Sequence, residues 1–155
     1  MIAALALTLS LTLSPAVSTH QWLDYENPID TEYTLLDTPI SFYQGRMYVE
    51  EDNDLRYCIR QRESRHAYSA DTGTGKYKGA YQMSRAFKNG MAWQIQKELR
   101  QTGTPRKQAI KIGEALRSAP VNKWNPFYQD MAWWLGWDEG QGSSHWEQTG
   151  WSDEC

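Results

Sequence analysis

The sequence predicts a small, mainly α domain with one irregular insertion. Three observations support this class. Helix start signals recur along the second half of the chain, with Thr104-Pro105 and Asn125-Pro126 each placing a capping residue before a proline. Apolar residues recur at helical spacing, as in Phe87, Met91, Ile95 and Leu99. A stretch rich in Gly, Thr and Tyr, from Ser69 to Tyr81, interrupts that pattern. The 155 residues suit one compact domain, and eight Trp with nine Tyr argue for a packed core.

The elements follow in order. Residues 1–19 carry no charged side chain, and Ile2 to Leu13 form an apolar run ahead of Ser14-Pro15-Ala16-Val17-Ser18. This reads as a secretory signal over 1–18, cleaved after Ala16 or Ser18, although no Lys or Arg precedes the run. A hydrophobic anchor or a misassigned start is the alternative. The run is too short for a stable membrane span. Residues 19–54 read as an acidic arm or linker. From 20 to 54 there are nine acids against one base, Arg46, and Pro28 and Pro39 break any periodicity. A short strand is expected at Met47-Tyr48-Val49.

The domain proper is expected over 55–155. Its first helix runs from about Leu55 to Arg65, capped by Asn53 or Asp54, with Leu55, Cys58, Ile59 and Arg62 on one face. The second runs from about Ser84 to Gln101 and stops before Gly103. The third starts at Thr104-Pro105 and carries Ile110, Gly113 and Leu116. The fourth starts at Asn125-Pro126, with Phe127, Met131, Trp134 and Leu135 as its apolar stripe. Ser69 to Tyr81 is expected to be a loop or short hairpin.

The formal charge of −3 conceals a strong segregation. The acidic arm sums to −8 over 20–54, residues 55–117 to +10, and residues 118–155 to −5. A block of +10 attracts polyanions, of which nucleic acid and an anionic cell wall are the candidates. About half of its bases are expected on solvated helix faces.

Several site classes are excluded or weak. Two cysteines cannot build a dense disulfide scaffold or the usual four-ligand zinc ribbon. The three His show no HExxH spacing, and His66 and His145 are expected at the surface rather than on a metal. Gly73, Gly75 and Gly79 miss the dinucleotide spacing by one residue and follow no strand. No cofactor or metal is expected. Among Trp133, Trp134 and Trp137 at least one should be core, and an exposed one could serve as a sugar platform.

The informative stretch is Cys58 to Met83. Glu63 closes the first helix, with Tyr68, an Asp71-Thr72-Gly73-Thr74-Gly75 loop and Gly79-Ala80-Tyr81-Gln82-Met83 after it. A carboxylic acid at a helix end beside an aromatic cleft can be kept protonated by desolvation and can protonate a glycosidic oxygen. On helix spacing alone Glu63 reads as an ordinary surface acid beside Arg60, Arg62 and Arg65, which favour its ionised form unless they point away.

Glu63-Ser64, the Asp71–Gly75 loop and Gly79–Met83 resemble the core of the lysozyme-like superfamily. They resemble most closely the transglycosylase-like domain of resuscitation-promoting factors and of related actinobacterial and actinophage muralytic proteins. The likeness is strong from Cys58 to about Phe87, weaker over the next two helices, and resumes at the fourth helix and Cys155. It implies an α+β lysozyme-like fold with Glu63 as the catalytic acid/base. It also implies a glycan cleft that includes Thr72, Tyr81 and Gln82. Asp71 is the acid nearest to Glu63 in the loop, although a turn residue bonding its own backbone explains it as well. Asp130 on the fourth helix is the remaining acid considered. The resemblance further implies a disulfide between Cys58 and Cys155, two buried free thiols being the alternative. Two positions depart from the family pattern. Arg65 and His66 stand where two glycines often follow Glu-Ser, and Phe87 stands where Trp is frequent.

The expected activity is cleavage of the β-1,4 bond between N-acetylmuramic acid and N-acetylglucosamine, as a lytic transglycosylase using one Glu. The alternatives are a lysozyme-type hydrolase and a non-catalytic wall-binding or virion structural module of the same fold. Expected partners are peptidoglycan glycan strands and anionic wall polymers. Nucleic acid and a stable membrane span are not expected. The protein is expected to be a monomer, secreted, associated with the cell wall, or phage-encoded and acting on the host wall.

Overall fold

A computed structural model of the chain describes residues 26–29, 37–138, 141–147 and 155. The segment 1–18, read above as a signal, lies outside the described residues. The elements are α1 (Asn53–Ser64), β1 (Tyr77–Lys78), β2 (Met83–Ser84), α2 (Arg85–Gln101), α3 (Arg106–Ser118), α4 (Pro126–Trp137) and a short α5 (Ser144–Glu147). The fold is mainly helical. Among the described residues two strands pair antiparallel, with Tyr77 opposite Ser84 and Lys78 opposite Met83.

α4 is the hub. Ten of its twelve residues are buried, and Trp133, Trp134 and Trp137 are all among them. A helix buried on nearly every side must be apolar all round, and Met131, Ala132 and the three Trp supply that surface. The Asn125 side chain accepts from the Phe127 N–H at 3.0 Å, and Pro126 follows at the first helical position. α2 packs across both α3 and α4. Ser84 caps it by accepting from the Phe87 N–H at 3.2 Å. The buried stripe of α2 is Lys88, Ala92, Ile95 and Leu99. Phe87 and Met91, expected to lead that stripe, are half-buried beside it.

Three boundaries differ from expectation. α1 starts at Asn53 after a 3-10 turn over Glu50–Asp52, and neither Asn53 nor Asp54 caps it. The Asn53 amide instead donates to the Pro39 carbonyl at 3.0 Å and accepts from Arg56 Nε at 3.1 Å. α3 starts at Arg106 with Pro105 as its N-cap, because Pro105 keeps an extended ψ of 137°. No strand forms over Met47–Val49. The chain turns there, with the Tyr48 N–H bonded to the Gly45 carbonyl.

The acidic segment is not a free linker where it is described. Phe42 and Tyr43 are buried in the core at 4% and 3% exposure, and Ile29 bridges to Trp124. One carboxylate explains the docking of 37–43. Asp130 on α4 is fully buried and accepts from the Phe42 N–H at 2.8 Å, the Tyr68 hydroxyl at 2.8 Å and the Tyr81 hydroxyl at 2.6 Å. Arg56 lies 3.6 Å away, also fully buried. Arg56 donates to the Pro39 carbonyl at 2.7 Å, and Arg60 donates to the Thr38 carbonyl. Two buried arginines of α1 thus hold the incoming segment by its backbone. Burial opposes the charge on Arg56, but Tyr81 and Asp130 outweigh it and raise its pKa above the usual arginine value.

Cys58 and Cys155 form a disulfide with Cα atoms 5.8 Å apart. It closes a loop of 97 residues, and the chain-entropy contribution for a loop that long is at most about 4.7 kcal/mol.

Candidate functional site

Glu63 occupies the last turn of α1, with its side chain 10% exposed. Of the neighbouring arginines, Arg60 points into the core, where Nε donates to His66 Nδ1 at 3.1 Å and Nη1 donates to the Tyr68 hydroxyl. Arg62 is the near cation, with Nη1 at 3.9 Å from Glu63 Oε1. Arg65 is exposed.

The chain leaves α1 by an abrupt corner. Arg65 has φ 53° and His66 has φ 66°, both in the left-handed region. Arg65 closes the helix in that conformation, its N–H reaching the Gln61 carbonyl at 2.8 Å. Glycine takes this geometry without a Cβ penalty, and other residues do so at a cost. The two positions where the resembled family often carries glycine are therefore the two that need glycine's conformation. His66 offsets the cost with contacts. It is 5% exposed, stacked on Tyr57 at 4.4 Å, and bonded to Arg60. This corrects the expected surface placement. Burial and the Arg60 charge push its pKa below the usual histidine value. His145 is half-buried against Phe87 at 3.9 Å. Among the described residues no cluster of three or more His, Cys, Asp or Glu is placed to hold a metal.

The loop after the corner is exposed from Asp71 to Tyr77. Asp71 acts as a turn residue, accepting from the Gly73 N–H at 3.2 Å and pairing with Lys78, which holds its carboxyl below the usual range. Thr72 is exposed, and its hydroxyl bonds Thr74 at 3.1 Å and the Tyr77 carbonyl at 3.3 Å. The loop closes where Gly79, at φ 82°, bonds back to the Ala70 carbonyl at 2.8 Å.

Gln82 has φ 47° and is 9% exposed. Its Nε2 donates to the Gly79 carbonyl at 2.9 Å, and its buried Oε1 has no hydrogen-bond partner among the described residues.

Tyr81 does not line a cleft. It is fully buried and its hydroxyl joins Arg56 and Asp130, so its position in the motif serves the core. Asp130 is sealed in that same network and is no second catalytic carboxylate. The five predicted glycan and acid positions thus separate into Glu63 at the helix end, Asp71 and Thr72 in the exposed loop, Gln82 in the turn between β1 and β2, and Tyr81 in the core.

A feature not singled out from the sequence is a cleft of about 270 Å³ between the β1–β2 hairpin, the start of α2 and the end of α3. Lys76, Lys78, Arg85, Lys88 and Arg117 line it, and Glu63 does not. Its sequence signal was Lys88, a base inside the buried stripe of α2.

Compared with family models, curated proteins and solved structures, the chain matches none.

Proposed function

We propose that the chain is an exported peptidoglycan-degrading glycosidase of the lysozyme-like superfamily, acting as a lytic transglycosylase through Glu63. One observation carries the reading. A largely buried carboxylate ends α1 directly ahead of a doubly left-handed corner, in a motif order that resembles the catalytic core of that superfamily. The disulfide from α1 to residue 155 supports it further.

Glu63, as an acid, protonates the oxygen leaving C1 of N-acetylmuramic acid. As a base it then takes the proton of the muramic C6 hydroxyl as that oxygen attacks C1. The products are a free 4-hydroxyl on N-acetylglucosamine and a 1,6-anhydro end, and no water is consumed. The sealed Asp130 and the Lys78-bound Asp71 favour this single-carboxylate route over a two-acid hydrolase. The basic block holds the enzyme, as a monomer, on anionic wall polymers, and Glu63→Gln removes clearing of purified peptidoglycan while the fold persists. Among the described residues no helix is long and apolar enough to cross a membrane.

A further inference from the structure

We propose that the cleft between the β1–β2 hairpin, the start of α2 and the end of α3 is a phosphate site that takes a phosphodiester-linked polyol polymer. Only the source of that polymer, a cell wall, rests on the preceding reading. The site itself is separate from Glu63.

The lining presents five bases and no acid. Lys88 is the decisive residue. It is 8% exposed, and among the described residues its ammonium donates only to main-chain carbonyls, of Arg117 at 2.5 Å and Ala119 at 3.3 Å. Buried cations are ordinarily paired with an acid. Arg56 follows that rule with Asp130, whereas Lys88 faces Arg85, a like charge. Burial and Arg85 accordingly depress its pKa. Those carbonyls end α3 and give Lys88 a partial negative charge, and a bound anion supplies a full one.

The surroundings define the anion further. α2 opens on the cleft at Ser84, so the positive end of a 17-residue helix adds to the field. Arg117 is held in place, with Nη1 at 3.1 Å from Gln96 Oε1 and its guanidinium carbon 3.8 Å over the Trp93 ring. A fixed guanidinium fork matches the several oxygens of a phosphate. Lys78 is already paired with Asp71; one carboxylate would leave most of the other four charges unmet, whereas successive phosphates of a polymer reach them in turn. The lining carries no aromatic ring, so base stacking, on which single-stranded nucleic acid relies, is unsupported there.

The test is calorimetric titration of the full-length protein at fixed ionic strength. The probes are inorganic phosphate, a glycerol-phosphate oligomer, an oligo-uronate of equal charge and an oligothymidylate of equal length. The glycerol-phosphate oligomer should bind at least tenfold tighter than the other three. Arg85→Ala and Arg117→Ala should each weaken it at least tenfold. Lys88→Met, with its fold checked by thermal melt, should do the same. Lys107→Ala, ten residues and about 15 Å along α3 from Arg117, should change it less than twofold. Equal losses for Lys107→Ala and Arg85→Ala would mean diffuse attraction and overturn the site. Equal or tighter binding of phosphate, uronate or thymidylate would overturn the polymer assignment. Glu63→Gln should bind the oligomer as the wild type does, so this proposal and the catalytic one can fail separately.

Discussion

Replacing Asp130 by Asn should be among the most damaging single changes the domain can suffer. The carboxylate satisfies the Phe42 N–H, two tyrosine hydroxyls and a fully buried arginine at once. Asn keeps the volume but removes the charge and turns one acceptor into a donor. Arg56 then stays buried with a net positive charge among tyrosine hydroxyls and carbonyls. Removing one member of a buried pair costs about 3–5 kcal/mol. At about 4 °C per kcal/mol for a domain of this size, the midpoint should fall by about 12–20 °C. Circular dichroism melts of wild type and variant at pH 7 measure this directly. The cycle with Arg56→Met isolates the pair, because Asp130→Asn should cost at least about 1.5 kcal/mol less once the arginine is gone. A melt shift below about 3 °C, or strict additivity in the cycle, would refute the view that this network clamps 37–43 onto the core.

Three further outcomes are expected. Arg65→Gly relieves a left-handed Cβ at the end of α1 and should stabilise by about 0.5–1 kcal/mol in urea unfolding; a loss would contradict the strain assigned there. Gly79→Ala places a Cβ 2.5 Å from both Gln129 Oε1 and Val121 Cγ1 at φ 82°. Gln129 cannot swing aside, because its amide bonds Ala80, Tyr68 and Trp124, so about 2–4 kcal/mol should be lost, and an unchanged midpoint would show that the hairpin yields. His66 has a folded pKa lowered first by burial and then by Arg60, so the unfolded chain binds the proton first. Its contribution is present above about pH 6.5 and declines as pH falls through 6.5 toward the folded value. His145, lowered by burial, acts in the same direction, so His66→Asn should shrink the drop in urea midpoint between pH 8 and pH 5.5 without abolishing it; an unchanged drop would contradict the assignment.

The helical elements were legible because their signals are local. Asn125-Pro126 caps α4 in the way its residues dictate, and Ser84 sits at its expected boundary. What escaped the sequence was long-range pairing. Nothing near Asp130 marks it as the partner of a backbone N–H 88 positions earlier, so the acidic segment read as an arm or linker with no sign that its residues 41–43 are buried in the core. Tyr81 looked like a cleft residue from its motif, because a tyrosine's hydroxyl does not declare whether it meets solvent or a buried carboxylate. Arg56 and Arg60 were not told apart from the rest of the basic block, because their partners Asp130, Tyr81 and Tyr68 lie far from them along the chain or on other elements. His66 was misplaced because its burial depends on Tyr57 and Arg60 meeting it across the corner. At the candidate site, Glu63 was singled out by a motif order that resembles the lysozyme-like core rather than by its place at a helix end, whereas the basic cleft required the hairpin and the end of α3 to meet.

The most direct test of the catalytic reading is to digest purified peptidoglycan with wild type and Glu63→Gln and to weigh the released fragments by mass spectrometry. The account predicts fragments ending in 1,6-anhydro-muramic acid, one water lighter than reducing ends, from the wild type and none from the variant, whose melting curve stays cooperative. Full release by Glu63→Gln would contradict it, as would no release by a folded wild type.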